Sequence, residues 1–147
     1  MSPENILGYA AQAIGQRLEP IQYEFPELKE HDVRVSVTHC GVCHTDIQAI
    51  DDYYGITTFP FVPGHEIVGN VSALGSAVAD LKEGDRVGIG WQGRSCMKCE
   101  WCLKGETQLC KEIENTTVCV PYGGFSSSVI ADHRFVHPLP EAMPSQI

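Results

Sequence analysis

Four cysteines set the strongest limit on how this chain can fold. Cys96, Cys99 and Cys102 follow one another at intervals of three, and Cys110 comes after a further seven residues. Thiols at this spacing can converge on one tetrahedral centre. Zinc held by four thiolates is the usual occupant of such a centre, closed to water and structural. The stretch from Gly93 to Thr117 has few large apolar residues, so a metal would replace the core it lacks. A bacterial iron–sulfur run opens with the same three cysteines, but its fourth follows after three residues and precedes proline. Here the gap is seven and Lys111 follows. A zinc ribbon needs two Cys-x2-Cys pairs about 15 to 20 residues apart, a spacing this sequence does not offer.

The chain has seven cysteines, an odd number that cannot all pair internally. In a reducing compartment clustered cysteines signal metal or redox chemistry. The N-terminus, Met1-Ser2-Pro3-Glu4-Asn5, lacks the basic then apolar layout of a secretory signal. No run approaches the roughly 18 apolar residues of a membrane span. A cytoplasmic location with no membrane partner is therefore expected. Ten Lys and Arg against nineteen Asp and Glu give a net charge of -9. Such a chain has no basic face to replace phosphate counterions, which argues against a nucleic-acid partner. With 147 residues, 43% of them hydrophobic, one domain spanning residues 1–147 is expected.

Prolines and glycines are scattered as punctuation, which suits short strands joined by turns. Strands are predicted over residues 18–25, around Val33, Val35 and Val37, over Ile67–Leu74, from Arg86 to Gly90, over Phe125–Ile130 and over Phe135–Leu139. Thr45–Ile50 is predicted to be a short helix with Thr45 as its N-cap. The fold class is mainly β, with a few short helices and a metal-binding lobe between Trp91 and Thr117. No Gly-x-Gly-x-x-Gly follows a predicted strand, so these residues encode no dinucleotide-binding turn.

Upstream lies a second constellation, Cys40-Gly41-Val42-Cys43-His44-Thr45-Asp46, followed by Gly64-His65-Glu66. A lone cysteine or histidine is most simply a small buried residue. Thiolate, imidazole and carboxylates together are the donor set of a catalytic zinc with an open position. These segments resemble the zinc-dependent alcohol dehydrogenases of the medium-chain dehydrogenase/reductase superfamily, most nearly its cinnamyl-alcohol-dehydrogenase-like branch. The resemblance continues through Val62-Pro63-Gly64-His65-Glu66-Ile67-Val68-Gly69, then Gly75 and Val78. It extends to the Cys96, Cys99, Cys102, Cys110 lobe, to Gly123-Gly124-Phe125-Ser126 and to Arg134-Phe135-Val136-His137-Pro138-Leu139-Pro140. It spans residues 8 to 140 and its motifs stand in family order.

The resemblance implies a GroES-like catalytic domain, a partly open β-barrel. It implies a zinc-dependent, NAD(P)-linked oxidoreductase acting on small alcohols or aldehydes, with NADP favoured over NAD. Cys43 and His65 would hold the catalytic zinc, with Glu66 beside it as an outer carboxylate or alternate ligand. Asp46 would orient His65 through its other ring nitrogen. Thr45 would hydrogen-bond the substrate oxygen, and His44 would lie near the cofactor pyrophosphate. The Cys96, Cys99, Cys102, Cys110 lobe would hold the structural zinc. Zinc would act as a Lewis acid on the substrate oxygen, and the nicotinamide would carry hydride.

Two departures stand out. Many relatives carry a proton-relaying histidine five residues after the first ligand cysteine, where this chain has Gln48. The family's third ligand cysteine and its Rossmann domain are expected beyond Ile147, so the 147 residues alone are expected to be inactive. Cys40 or Cys119 would be the substitute ligands to consider. The face meant for the Rossmann domain, left bare, would favour a homo-oligomer. Tyr53, Tyr54, Phe59 and Trp91 either line a pocket for bulky or aromatic aldehydes or pack as ordinary core. The competing reading is a stand-alone zinc-binding structural or interaction module without dehydrogenase activity. Positioned residues such as His44, Thr45 and Asp46 favour the enzyme, since a bare scaffold needs none of them.

Overall fold

The alternation of Val33, Val35 and Val37 with Arg34 and Ser36 becomes the middle of a β-strand in the computed structural model, which describes residues 5–117 and 122–146. That strand, β3 (Asp32–Cys40), follows an antiparallel pair formed by β1 (Asn5–Ala10) and β2 (Glu19–Glu24). Then come α1 (His44–Ile50), β4 (Ile67–Leu74), β5 (Arg86–Ile89), β6 (Gln92–Arg94), α2 (Glu100–Leu103), β7 (Glu114–Asn115), β8 (Ser128–Asp132) and β9 (Val136–Pro138). A five-stranded sheet has the order β8-β3-β4-β5-β9, and β6 pairs with β7 separately.

The connection between β8 and β9 shapes this sheet. They are its two outer strands, yet only the 3-10 turn His133–Phe135 separates them in the chain. In a flat sheet of this size the outer strands would lie about 19 Å apart. Four residues of chain reach at most about 14 Å. The sheet must curl, as the twist of its strands allows. β8 and β9 are not paired with each other, so the barrel stays partly open. Val33, Val35, Ile67, Val71, Val87, Ile89, Val129 and Val136 fill its inside.

Two irregularities break the β3–β4 register, at Arg34/Val35 and at Val37/His39. The second reverses which side chains face inward. Val33, Val35 and Val37 point into the core before it, and Cys40 packs against that core after it.

The expected strands form with shifted ends. Phe125–Ile130 is realised as Ser128–Asp132, because Gly123, Gly124 and Phe125 donate instead to the carbonyls of Val62, Gly64 and Pro63. Phe135 belongs to the turn, and the last strand starts at Val136. The N-cap of α1 is Cys43, not Thr45. Asp46, at the third helical position, accepts the Cys43 N–H at 2.9 Å and so starts the helix two residues earlier. β1 has no counterpart among the predicted strands. It is held by bonds from Tyr9 N to Phe125 O and from Ser127 N to Leu7 O. No helix among the described residues is long and apolar enough to cross a membrane.

Opposed charges fasten the four-cysteine lobe to the sheet. Asp32 and Asp132 face each other across β3 and β8, both buried. Arg94 on β6 reaches Asp32 at 2.6 Å and Glu114 at 3.1 Å, and Arg134 pairs with Asp132. Burial pushes the Asp132 carboxyl up, but hydrogen bonds from Arg134 outweigh it and hold the group below the usual carboxylate range. A group depressed in the folded state contributes stability above its unfolded pKa, and that contribution fades as pH falls through the folded value. Urea midpoints should therefore fall as pH drops below about 4, the ordinary carboxylate value. Arg94→Met strands Asp32 without its partner and should cost about 3 kcal/mol at neutral pH, read from the same denaturation curves.

Candidate metal centres and pocket

In the lobe, four sulfurs take the place of a hydrophobic core. Between Gly93 and Thr117 the buried hydrophobic residues are Cys102 and Cys110. The Sγ atoms of Cys96, Cys99, Cys102 and Cys110 all lie within 4.8 Å of one another. Cys99 and Cys102 are 3.5 Å apart, and Cys96 and Cys102 are 3.9 Å apart. A tetrahedron with metal–sulfur bonds of zinc length has sulfur–sulfur edges of about 3.8 Å, so the donors fit zinc. Backbone N–H groups point at the sulfurs: Cys99 N to Cys96, Cys96 N to Cys110 and Glu112 N to Cys110. Met97, at φ 57°, turns the chain so that Cys96 and Cys99 face inward together. The Ser95 hydroxyl draws the Cys102 thiol down to about 7. The N–H groups of Cys96 and Glu112 lower Cys110, but burial and the neighbouring thiols outweigh them and leave it at about 11.

The second centre joins two segments. Cys43 caps α1, and His65 and Glu66 precede β4. One ligand atom from each of Cys43, His65 and Glu66 lies within 4.8 Å of the others. Asp46 is buried and accepts from the N–H of Cys43 and from that of Gly64, each at 2.9 Å. Its Oδ1 lies 3.3 Å from His65 Nδ1. That nitrogen is buried and forms no aligned hydrogen bond, since the Asp46 oxygens are directed at backbone donors. The donor set and the turned imidazole fit a metal bound on the Cys43 side. Cys40 is not in this group. It packs toward the core, and burial pushes its thiol up to about 11. Cys119 lies outside the described residues.

Beside this centre is a cavity of about 350 Å³ lined by Thr45, Tyr54, Ile56, Trp91 and Asn115. That size is at the small end of ligand pockets. Thr45 Oγ1 lies 3.7 Å from Cys43 Sγ, so the hydroxyl stands between the Cys43, His65, Glu66 group and the cavity. The Trp91 ring meets His65 edge to face at 5.0 Å. Tyr54 donates to Gln48 Oε1 at 2.6 Å, which commits the amide at the expected relay position to holding the phenol. His44 is exposed on the first turn of α1.

Of the four expected aromatic residues, Tyr54 and Trp91 line the cavity. Phe59 packs with Phe61 and Ala49, and Tyr53 is largely exposed. Ile56 and Asn115 were not singled out from the sequence. Asn115 arrives from β7, 70 positions from Thr45 in the chain, so no local spacing could reveal it. The clamp of Gly123 and Gly124 on the carbonyls of residues 62 and 64 was equally hidden. Its only trace was the paired glycines. His31, His39, His133 and His137 join no metal-ligand group among the described residues.

Residues 29–141 match the family described as the alcohol dehydrogenase GroES-like domain. The chain is 41% identical over 138 residues to an aldehyde reductase, AdhA, of Synechocystis, covering 94% of this chain and 41% of that protein. It is 37% identical to a probable cinnamyl alcohol dehydrogenase 6 of rice, covering 96% of this chain and 41% of the relative. Among solved structures, a cinnamyl alcohol dehydrogenase from Sorghum bicolor superposes with a TM-score of 0.89 at 34% identity, covering 96% of this chain and 42% of that one. A cinnamyl alcohol dehydrogenase from Helicobacter pylori, complexed with NADP(H), gives 0.90 at 27% identity, covering 97% and 43%. The chain thus spans about two fifths of the length of these relatives.

A strong chelator should release the lobe without unfolding the barrel. Hydrogen exchange should show amide protection lost between residues 93 and 117 and retained in β3, β4 and β5, and Cys102→Ser should reproduce that pattern.

Proposed function

This chain belongs to the alcohol dehydrogenase GroES-like domain family, and on that premise we propose that residues 1–147 are the catalytic domain of a zinc-dependent, NAD(P)-linked alcohol/aldehyde oxidoreductase. The observation that carries this reading is the convergence of Cys43, His65 and Glu66 beside a cavity that Thr45 enters. A bare scaffold needs no such juxtaposition. The six described cysteines are all free, which supports a reducing, cytoplasmic setting.

Cys43, His65 and Glu66 hold the catalytic zinc, and Cys96, Cys99, Cys102 and Cys110 hold the structural one. When bound, zinc supplies Lewis acidity at the substrate oxygen and a nicotinamide supplies or accepts hydride. The residues of this chain do the rest. Asp46 fixes the His65 ring with Nδ1 toward itself, leaving Nε2 as the ligand atom. Thr45 holds the hydroxyl proton at its Oγ1 and orients the substrate oxygen. The largely apolar wall of Ile56, Trp91 and Tyr54 selects bulky or aromatic alcohols and aldehydes. Gln48 does not titrate near neutrality, so the proton leaves from Thr45 through water. His44, exposed at the start of α1, is placed to meet the cofactor pyrophosphate. The dinucleotide itself is held by a Rossmann domain. NADP is favoured over NAD, and the NADP(H) bound to the Helicobacter pylori relative supports that preference.

The test is NADPH-dependent reduction of an aromatic aldehyde by the complete polypeptide that carries this chain. Thr45→Val should lower kcat/KM about 100-fold or more, the scale of a lost proton-transfer group, with metal content unchanged. Undiminished activity in that variant would remove Thr45 from the reaction.

A further inference from the structure

Gly41 stands between the end of β3 and the cap of α1. Its N–H donates to the carbonyl of Glu66 at 2.9 Å, which locks the backbones of residues 41 and 66 together. A Cβ built on Gly41 would fall 2.1 Å from Glu66 Oε2, 3.0 Å from Glu66 Cβ and 3.1 Å from Glu66 Cδ. All three atoms belong to one side chain, and none is backbone. Gly41 is not among the residues with positive φ, so the local chain path does not itself require glycine.

Its neighbours differ. A Cβ on Gly64 would meet Phe125 N at 2.7 Å, and one on Gly123 would meet Pro63 O at 2.6 Å. Substitution there moves the backbone. At residue 41 the outer end of a flexible, exposed glutamate has to swing away, and its Cβ has to give by a few tenths of an ångström.

We propose that Gly41 is a positioning residue for the second metal centre: its bare Cα is the seat of the Glu66 carboxylate, and it makes Glu66 a working third protein ligand beside Cys43 and His65. This rests on the reading of those three residues as a metal centre. The glycine acts only through Glu66. Any side chain at residue 41 should swing the carboxylate away from Cys43 and His65 while leaving the barrel and the four-cysteine lobe intact.

Cobalt titration of the purified chain, followed by visible absorption, tests this. Two cobalt ions should bind, and Cys43→Ser should identify which is the second. Gly41→Ala and Glu66→Gln should each weaken the second site about 10- to 100-fold, the range seen when support of a metal ligand is lost. The double variant should lose no more than either single one. Lobe affinity, and thermal melting measured with the second site empty, should stay as in the parent chain. If Glu66→Gln weakens the second site and Gly41→Ala does not, the role of Gly41 falls while the metal centre stands. If Glu66→Gln has no effect, the carboxylate is not a ligand and the inference is overturned. If Gly41→Ala disturbs melting or the lobe, residue 41 serves the fold and the inference is likewise overturned. If the parent chain binds cobalt in the lobe alone, the metal-centre reading fails and takes this inference with it.

Discussion

The buried carboxylate of Asp46 joins the two halves of the second centre. One oxygen accepts the N–H of Cys43 and the other that of Gly64. The first bond starts α1 at Cys43. The second draws in the loop that carries His65 and Glu66. A carboxylate removed from water must be satisfied by donors, and here the donors are the backbones of the two segments that have to meet. The residue that could be read as a helper to one histidine is also the joint that makes a centre out of distant pieces of sequence.

The legible parts of the molecule were those with short-range signals. The lobe announces itself because four thiols at fixed spacing have few other uses, and Ile67–Leu74 appears with its predicted ends. The helix after Cys43 was visible, but its cap was not. Recognising it requires knowing that Asp46 turns back to Cys43, a choice that the equally plausible cap Thr45 obscures. β1 was missed because its partners are β2 and the backbone near residues 125 to 127, and strand pairing at that separation leaves no periodic trace. The inward turn of Cys40 depends on a bulge at Val37/His39 that no alternation pattern encodes.

The same limit governs the cavity. Thr45 and Tyr54 come from one stretch of chain, but Trp91 and Asn115 come from either end of the lobe. The four-thiol cluster thus has a second effect beyond stability. It closes the loop between β6 and β7, whose pairing sets Asn115 opposite Gln92 and, with the Thr116 N–H on the Trp91 carbonyl, builds the far wall of the pocket. Gln48 shows the converse, a local substitution with a spatial meaning. A position that resembled a lost relay holds the phenol that closes the near wall.

The three-residue turn between the outer strands also sets an order of assembly. β3 pairs on one side with β4 and on the other with β8, so that Val35 is matched to Val129. A chain emerging from the ribosome can form the β3–β4–β5 meander and the compact lobe from nearby residues. It then waits, with the outer edge of β3 bare, until the final strands are made. Contacts between such distant residues form slowly, and an open strand edge invites pairing with other chains. The nascent protein therefore passes through a stage in which Cys43, His65 and Glu66 are already translated but its barrel is an unfinished sheet. Residues 128–132 determine whether that edge finds β8 or a stranger.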